Sequence, residues 1–124
     1  MNRPRRWGHR RVGSERGSGT VLAAALGMVL ILATSLVLLL AQSAVLASQT
    51  AAAADLAALA AADALRGVSD GDPCAVAASV ATRHSARLIS CIEEGDLSVE
   101  VHTQSNTRTV LGAATGRARA GPPP

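Results

Sequence analysis

The chain has 124 residues, twelve arginines, no lysine, nine acidic residues and a net charge of +3 at neutral pH. The positive charge is concentrated ahead of a long apolar stretch: Arg3, Arg5, Arg6, Arg10, Arg11 and Arg16 face only Glu15, whereas from Ser48 onward eight carboxylates outnumber six arginines. A basic nucleic-acid module carries its charge on the folded part with aromatic support. Here the sole aromatic residue, Trp7, lies in the basic arm, so no nucleic acid is expected as a partner.

Residues 1–17 read as a short arginine-rich arm. From Gly17 to Ala54 no charged residue occurs, and Val21 to Ala47 is Leu, Val, Ile, Met and Ala broken by Gly27, Thr34, Ser35, Gln42 and Ser43. About 20 apolar residues cross a bilayer as a helix, and a lone segment can span lipid only as a helix because lipid offers backbone amides no partners. Positive flanks stay in the cytoplasm, so the arm is expected inside and the C-terminal part outside, with membrane lipid as one partner. Two other readings compete. Val45-Leu46-Ala47 resembles a small-residue site for signal cleavage, which would release a secreted protein, although a secretory core is usually about 7–15 residues. Alternatively the helix is buried in a soluble fold, but so short a chain has little with which to wrap it.

The helical signal continues past the membrane. Ser48 to Arg66 is dominated by Ala and Leu and lacks Gly or Pro, a composition close to the best helix former. One helix over 18–66 is expected, with Gly67 as its C-terminal stop. It would be about 70 Å long at about 1.5 Å per residue, so about half would stand outside the hydrocarbon. Leu56, Leu59 and Ala60, with Ala52 and Ala53 a turn earlier, are expected to form its apolar stripe, with Asp55 and Asp63 on a common side.

Residues 67–111 read as a small α+β head. Asp72-Pro73 suggests an N-cap and first helical position for a helix to about His84, with Val76 and Val80 inward and Arg83 outward. Leu88 to Ile92 reads as a strand, Glu93 to Asp96 as a turn, and Leu97, Val99, Val101 and Thr103 alternate with polar residues as the return strand. A third strand at Thr107 to Leu111 is weaker. Residues 112–124, rich in Gly and Pro, read as an extended or disordered tail.

Cys74 and Cys91 both fall beyond the apolar segment. A helix climbing about 16–18 Å from Cys74 and a strand descending about 16 Å to Cys91 return the chain to its start, so one disulfide is expected in an oxidising compartment. Two buried thiols are the alternative.

Enzymatic constellations are absent. His9, His84 and His102 are scattered, no HExxH or Cys-x-x-Cys occurs, and glycine-rich Gly13 to Thr20 lacks the lysine of a phosphate loop. Neither a catalytic role, a cofactor, a metal nor a small-molecule substrate is expected.

Three segments in order carry a family resemblance. Glu15-Arg16-Gly17-Ser18-Gly19-Thr20-Val21 before the apolar helix resembles the amino-terminal signature of TadE-like and TadG-like proteins of tight-adherence (Flp) pilus assembly. Ala53-Ala54-Asp55-Leu56-Ala57-Ala58-Leu59-Ala60-Ala61-Ala62 resembles the block those proteins carry just outside the membrane. Cys74 through Cys91, with the ending Ala118-Arg119-Ala120-Gly121-Pro122, is similar to a short actinobacterial TadE-like subgroup. The resemblance implies a minor pilin or pseudopilin-like subunit of a pilus or secretion apparatus, working with other subunits and platform proteins. It also marks Gly17 and Ser18 as a candidate prepilin cleavage point. Pilin-like members place a Glu five residues after that Gly, where Leu22 stands here, so the uncut anchored form is expected. A bitopic accessory protein whose arm attracts anionic lipid or another partner is the alternative function.

Overall fold

The computed structural model describes residues 2–4, 8 and 16–123. The chain divides into two compact units, 1–37 and 38–124, and a single helix, α1 (Arg16–Leu65), runs from the first into the second. The α+β architecture expected from the sequence is present: α1 is followed by α2 (Pro73–Arg83) and by strands β1 (Ala86–Glu94), β2 (Ser98–Thr109) and β3 (Gly112–Ala120). The strands form an antiparallel sheet in the order β1-β2-β3.

In the first unit, the helix residues from Gly17 to Val37 are exposed apart from half-buried Gly27. Thr34 and Ser35 turn their hydroxyls back onto the helix, donating to the carbonyls of Leu30 and Ile31. Such back-bonding satisfies a hydroxyl where no outside partner exists.

In the second unit the same helix changes character at Thr50, the first fully buried residue among those described. From there Ala53, Ala54, Ala57, Ala58, Ala61 and Ala62 are buried, and most of them join Ala77 and Ala81 of α2, Ala86 of β1, and Val99 and Val101 of β2 in one core. This corrects the expected stripe: Leu56 and Leu59 are 43% and 55% exposed, and alanines take the inner face. Two elements can approach closely only where side chains are short, and a core without aromatics gains its density by close approach rather than by bulk. In α2 the fully buried residues are Ala77 and Ala81; Val80 is half-buried and packs against the core as expected, and Val76 is half-buried.

The helix ends are set by local chemistry. At the C-terminus of α1, Gly67 adopts φ +74°, its N–H donates to Ala64 O at 3.0 Å and Val68 N–H donates to Asp63 O at 2.8 Å. This pair of bonds is the Schellman closure that a left-handed glycine permits. The helix therefore stops where expected. At the start of α2, the Asp72 carboxylate accepts from Ala75 N–H at 2.9 Å, and Pro73 occupies the first turn.

The sheet departs from expectation in four places. Strand β1 is longer than Leu88 to Ile92. Leu97 lies in the β1–β2 turn at φ +62°, outside β2, so the inward series begins at Val99. Residues 112–120 are strand β3, paired with β2 from Val99↔Ala120 to Thr109↔Gly112, not a tail. Thr107 to Thr109 belong to β2 itself, leaving Val110 and Leu111 as the two-residue turn.

Candidate functional site

Two features of the structure have functional shape: an apolar stretch of α1, from Val21 to Val45, whose large side chains are exposed, and a small head clamped by one disulfide and by ion pairs. The disulfide joins Cys74, in the first turn of α2, to Cys91 of β1, with Cα atoms 5.8 Å apart. A register irregularity between Leu88 and Ser90 aims the second cysteine. Before it Leu88 pairs with Thr103, and after it Cys91 pairs with Val101, so Ile89 is the extra residue. Strict alternation would place Leu88 and Cys91, three apart, on opposite faces. The bulge shifts the phase by one, and both residues pack against the core.

Thr103 Oγ1 donates to Thr50 O at 3.1 Å, a buried bond between β2 and α1. Gly116 of β3 lies against the same carbonyl: a Cβ at this position would stand 2.5 Å from Thr50 O and 2.9 Å from Thr103 Oγ1. No side chain larger than hydrogen fits there, so the glycine lets the sheet backbone meet the helix backbone.

Several polar side chains of the sheet pair with one another. Arg119 of β3 bonds Glu94 at 2.6 Å and Asp96 at 2.9 Å and donates to Ser98 Oγ at 3.2 Å, tying β3 to the β1–β2 turn. Glu100 holds Arg117 at 2.9 Å and His102 at 3.0 Å. The Arg117 guanidinium foremost, and then His102, keep the Glu100 carboxyl below its ordinary range, and Glu100 in turn raises Arg117. The Ser98 hydroxyl is the largest cause of a lowered Asp96 carboxyl. Ser98 is engaged by acidic side chains and His102 by Glu100, so the hydrogen bonds described include no hydroxyl–imidazole pair of the kind nucleophilic catalysis uses. Among the described residues no group of three His, Cys, Asp or Glu side chains is placed to hold a metal ion.

The sequence-marked residues scatter along the molecule. Gly17 and Ser18 lie in the first turn of α1 and are exposed. Arg3 is exposed, and Arg16 begins α1, whereas Arg5, Arg6, Arg10 and Arg11 lie outside the described residues. Asp55, Leu56 and Leu59 are exposed on α1. Asp55 and Leu59 line a shallow cleft with Ala118 to Gly121 of the β3 end.

Comparison with protein-family models, curated proteins and solved structures returns no match. The functional reading therefore stands on the chain's own features.

Sequence reasoning missed Thr50, Gly116 and the Val110–Leu111 turn. The first had a legible signal: Thr50, Ala53, Ala57 and Ala61 recur at helical spacing as small residues on one face. Gly116 had none, because its neighbour is sixty-six positions away.

Proposed function

We propose that this chain is a single-pass membrane protein, arginine arm in the cytoplasm and disulfide-closed head outside, serving as a structural or assembly subunit of a tight-adherence type pilus or secretion apparatus. The observation that carries the reading is the division of α1. Its apolar residues from Val21 to Val45 lie uncovered, with an 18-residue window of mean hydropathy 2.6, while its residues from Thr50 onward enter a folded core. A soluble protein that exposed Leu30, Ile31, Leu32, Leu36, Val37 and Leu38 together would aggregate, whereas lipid accepts them without cost. The order of the three family-like segments supports the assembly role. Several of the head's charges are paired with one another, and it shows no reactive constellation among the described residues, which suits a subunit that works by packing.

Small residues along the span, Ala23, Ala24, Ala25, Gly27, Ala33 and Ser35, allow close helix neighbours in lipid. In this reading the uncut chain stays anchored, since Leu22 supplies no carboxylate to neutralise a new amino terminus.

A secreted product is the second reading, and one observation favours it: a cut after Ala47 would leave intact every fully buried residue of α1, beginning at Thr50. Mass spectrometry of the amino terminus, with membrane fractionation and cross-linked co-purification, tests both. An intact, detergent-extracted chain recovered with pilin and platform subunits is expected. A soluble fragment beginning near Ser48 in the medium, or a head open to protease only from the cytosol, would end the assembly reading.

A further inference from the structure

The β2–β3 turn presents two large apolar side chains where hairpin turns normally carry Gly, Asn or Asp. Val110 is 87% and Leu111 69% exposed. Thr109 closes the turn, its hydroxyl donating to Gly112 O at 3.1 Å and accepting from Leu111 N–H at 3.3 Å, and Gly112 supplies the φ of +106°. The local chain is well made, so the exposure is a property of the turn.

This tip lies beside α1. Thr107 to Val110 share an open apolar groove with Leu38, Leu39, Val45 and Leu46, and on its other flank Leu111 and Gly112 adjoin Leu40, Ser43 and Ala44. About 20 helical residues cross the hydrocarbon, so a span that enters at Val21 emerges near Leu40, at the level of the tip. The surroundings have the mixed chemistry of a membrane boundary. Gln42 and Gln49 line the same groove, as does Arg108. Among the described residues Arg108 forms no ion pair, as is also true of Arg83 and Arg87, whereas Arg66, Arg117 and Arg119 do; of those three without a pair only Arg108 lines this groove.

We propose that the Val110–Leu111 turn inserts into the outer headgroup region of the bilayer, with Arg108 facing lipid phosphate. This rests on the reading of α1 as a membrane span. Apolar tips with an adjacent cation bind at that depth through buried apolar area and attraction to anionic lipid. Lipid is the occupant because the groove is walled by the apolar side chains of Leu38, Leu39 and Val45, which are themselves exposed, and its one charged lining residue is a cation. The tip gives the head a second attachment to the membrane and limits its tilt.

Tryptophan fluorescence of the full-length chain in phosphatidylcholine–phosphatidylglycerol vesicles tests this, using lipids that carry a nitroxide at shallow or deep acyl positions. With Trp7→Phe as background, three single probes are compared: Leu30→Trp in the span, Val110→Trp at the tip, and Val68→Trp in the exposed loop after α1. Deep nitroxide is expected to quench Leu30→Trp, and shallow nitroxide to quench Val110→Trp at least about twofold more than Val68→Trp, a difference expected of a boundary-level anchor. Replacing Arg108 by Gln is expected to weaken the shallow quenching of the tip probe. If Leu30→Trp is quenched while Val110→Trp behaves like Val68→Trp, the tip proposal fails and the span stands. If Val110→Trp is shielded from both lipid nitroxide and aqueous acrylamide, protein covers the tip and the proposal fails equally. If Leu30→Trp escapes quenching, the span reading fails and takes the tip with it.

Discussion

Thr103 and Thr50 are fifty-three residues apart in sequence and joined in the core, where the Thr103 hydroxyl donates to the Thr50 carbonyl at 3.1 Å. The bond marks where α1 turns from an uncovered helix into the wall of a folded head. Gly116 packs on the same carbonyl, so β2 and β3 both register on one turn of the helix. Thr50 itself donates to Leu46 O at 2.8 Å, leaving no buried side-chain polar atom without a partner among the described residues.

Gly116→Ala is expected to destabilise the head by about 1–3 kcal/mol, the range for overpacking a filled site. Gly95→Ala is the control, since a Cβ there meets nothing within 4 Å. Amide exchange of β2 in the detergent-solubilised chain reads the difference. Equal protection in both variants would mean that the sheet does not sit on Thr50.

Reducing Cys74–Cys91 reopens a loop with a sequence separation of 17 and is expected to remove about 3 kcal/mol on the chain-entropy account. Protease sites in the head should become sensitive while the helix from Val21 to Leu40 stays protected in micelles. An unchanged digestion pattern after complete thiol labelling would contradict this.

The alanine face and the leucine edge of α1 should respond in opposite ways. Ala57→Leu adds bulk to a fully buried position and is expected to cost about 1–3 kcal/mol. Leu59→Ala trims an exposed side chain, with an expected change within about 0.5 kcal/mol. A thermal or denaturant series on the two variants decides, and a larger loss from the leucine would restore the stripe expected from sequence.

Acid should loosen the head. Asp96 and Glu100 both have carboxyl groups lowered from ordinary values of 3.8 and 4.5. Each contributes stability that is complete above its ordinary value and is lost as pH falls through the lower value in the folded chain. Stability is therefore expected to be level at neutral pH and to decline below about 4.5, with Glu100→Gln flattening part of the slope. Asp96 is exposed and Glu100 is half-buried with its partners near the surface, so the effect is small and diminishes in high salt. A profile rising toward acid would reverse the assigned sign.

Asp72→Ala removes the carboxylate that accepts from Ala75 N–H and is expected to cost about 1 kcal/mol, as helix N-caps do. Asp72→Asn should recover most of it. Exchange of the first-turn amides of α2 measures both.

Much of this protein was legible in local patterns. The uncharged run from Gly17 to Ala54 requires a helix, Gly67 ends it, Asp72-Pro73 starts the next, and Val99, Val101 and Thr103 alternate as a half-buried strand should. These signals are local because capping, propensity and period depend on residues within a turn or two. The arginine arm and the family-like segments were likewise read from the linear chain, and they supply the proposed direction and role.

Only tertiary contact decided which side of α1 is inner, because Ala and Leu are both apolar and period alone cannot choose between a tight face and a bulky one. It also decided the bulge that turns Cys91 toward Cys74, the close approach that demands hydrogen at Gly116, and the pairing that makes residues 112–120 a strand. The last segment has weak strand-forming composition, rich in Ala, Gly and Arg. It becomes a strand because β2 offers an edge, and a hydrogen-bonding edge is a property of the folded neighbour that no window of sequence contains.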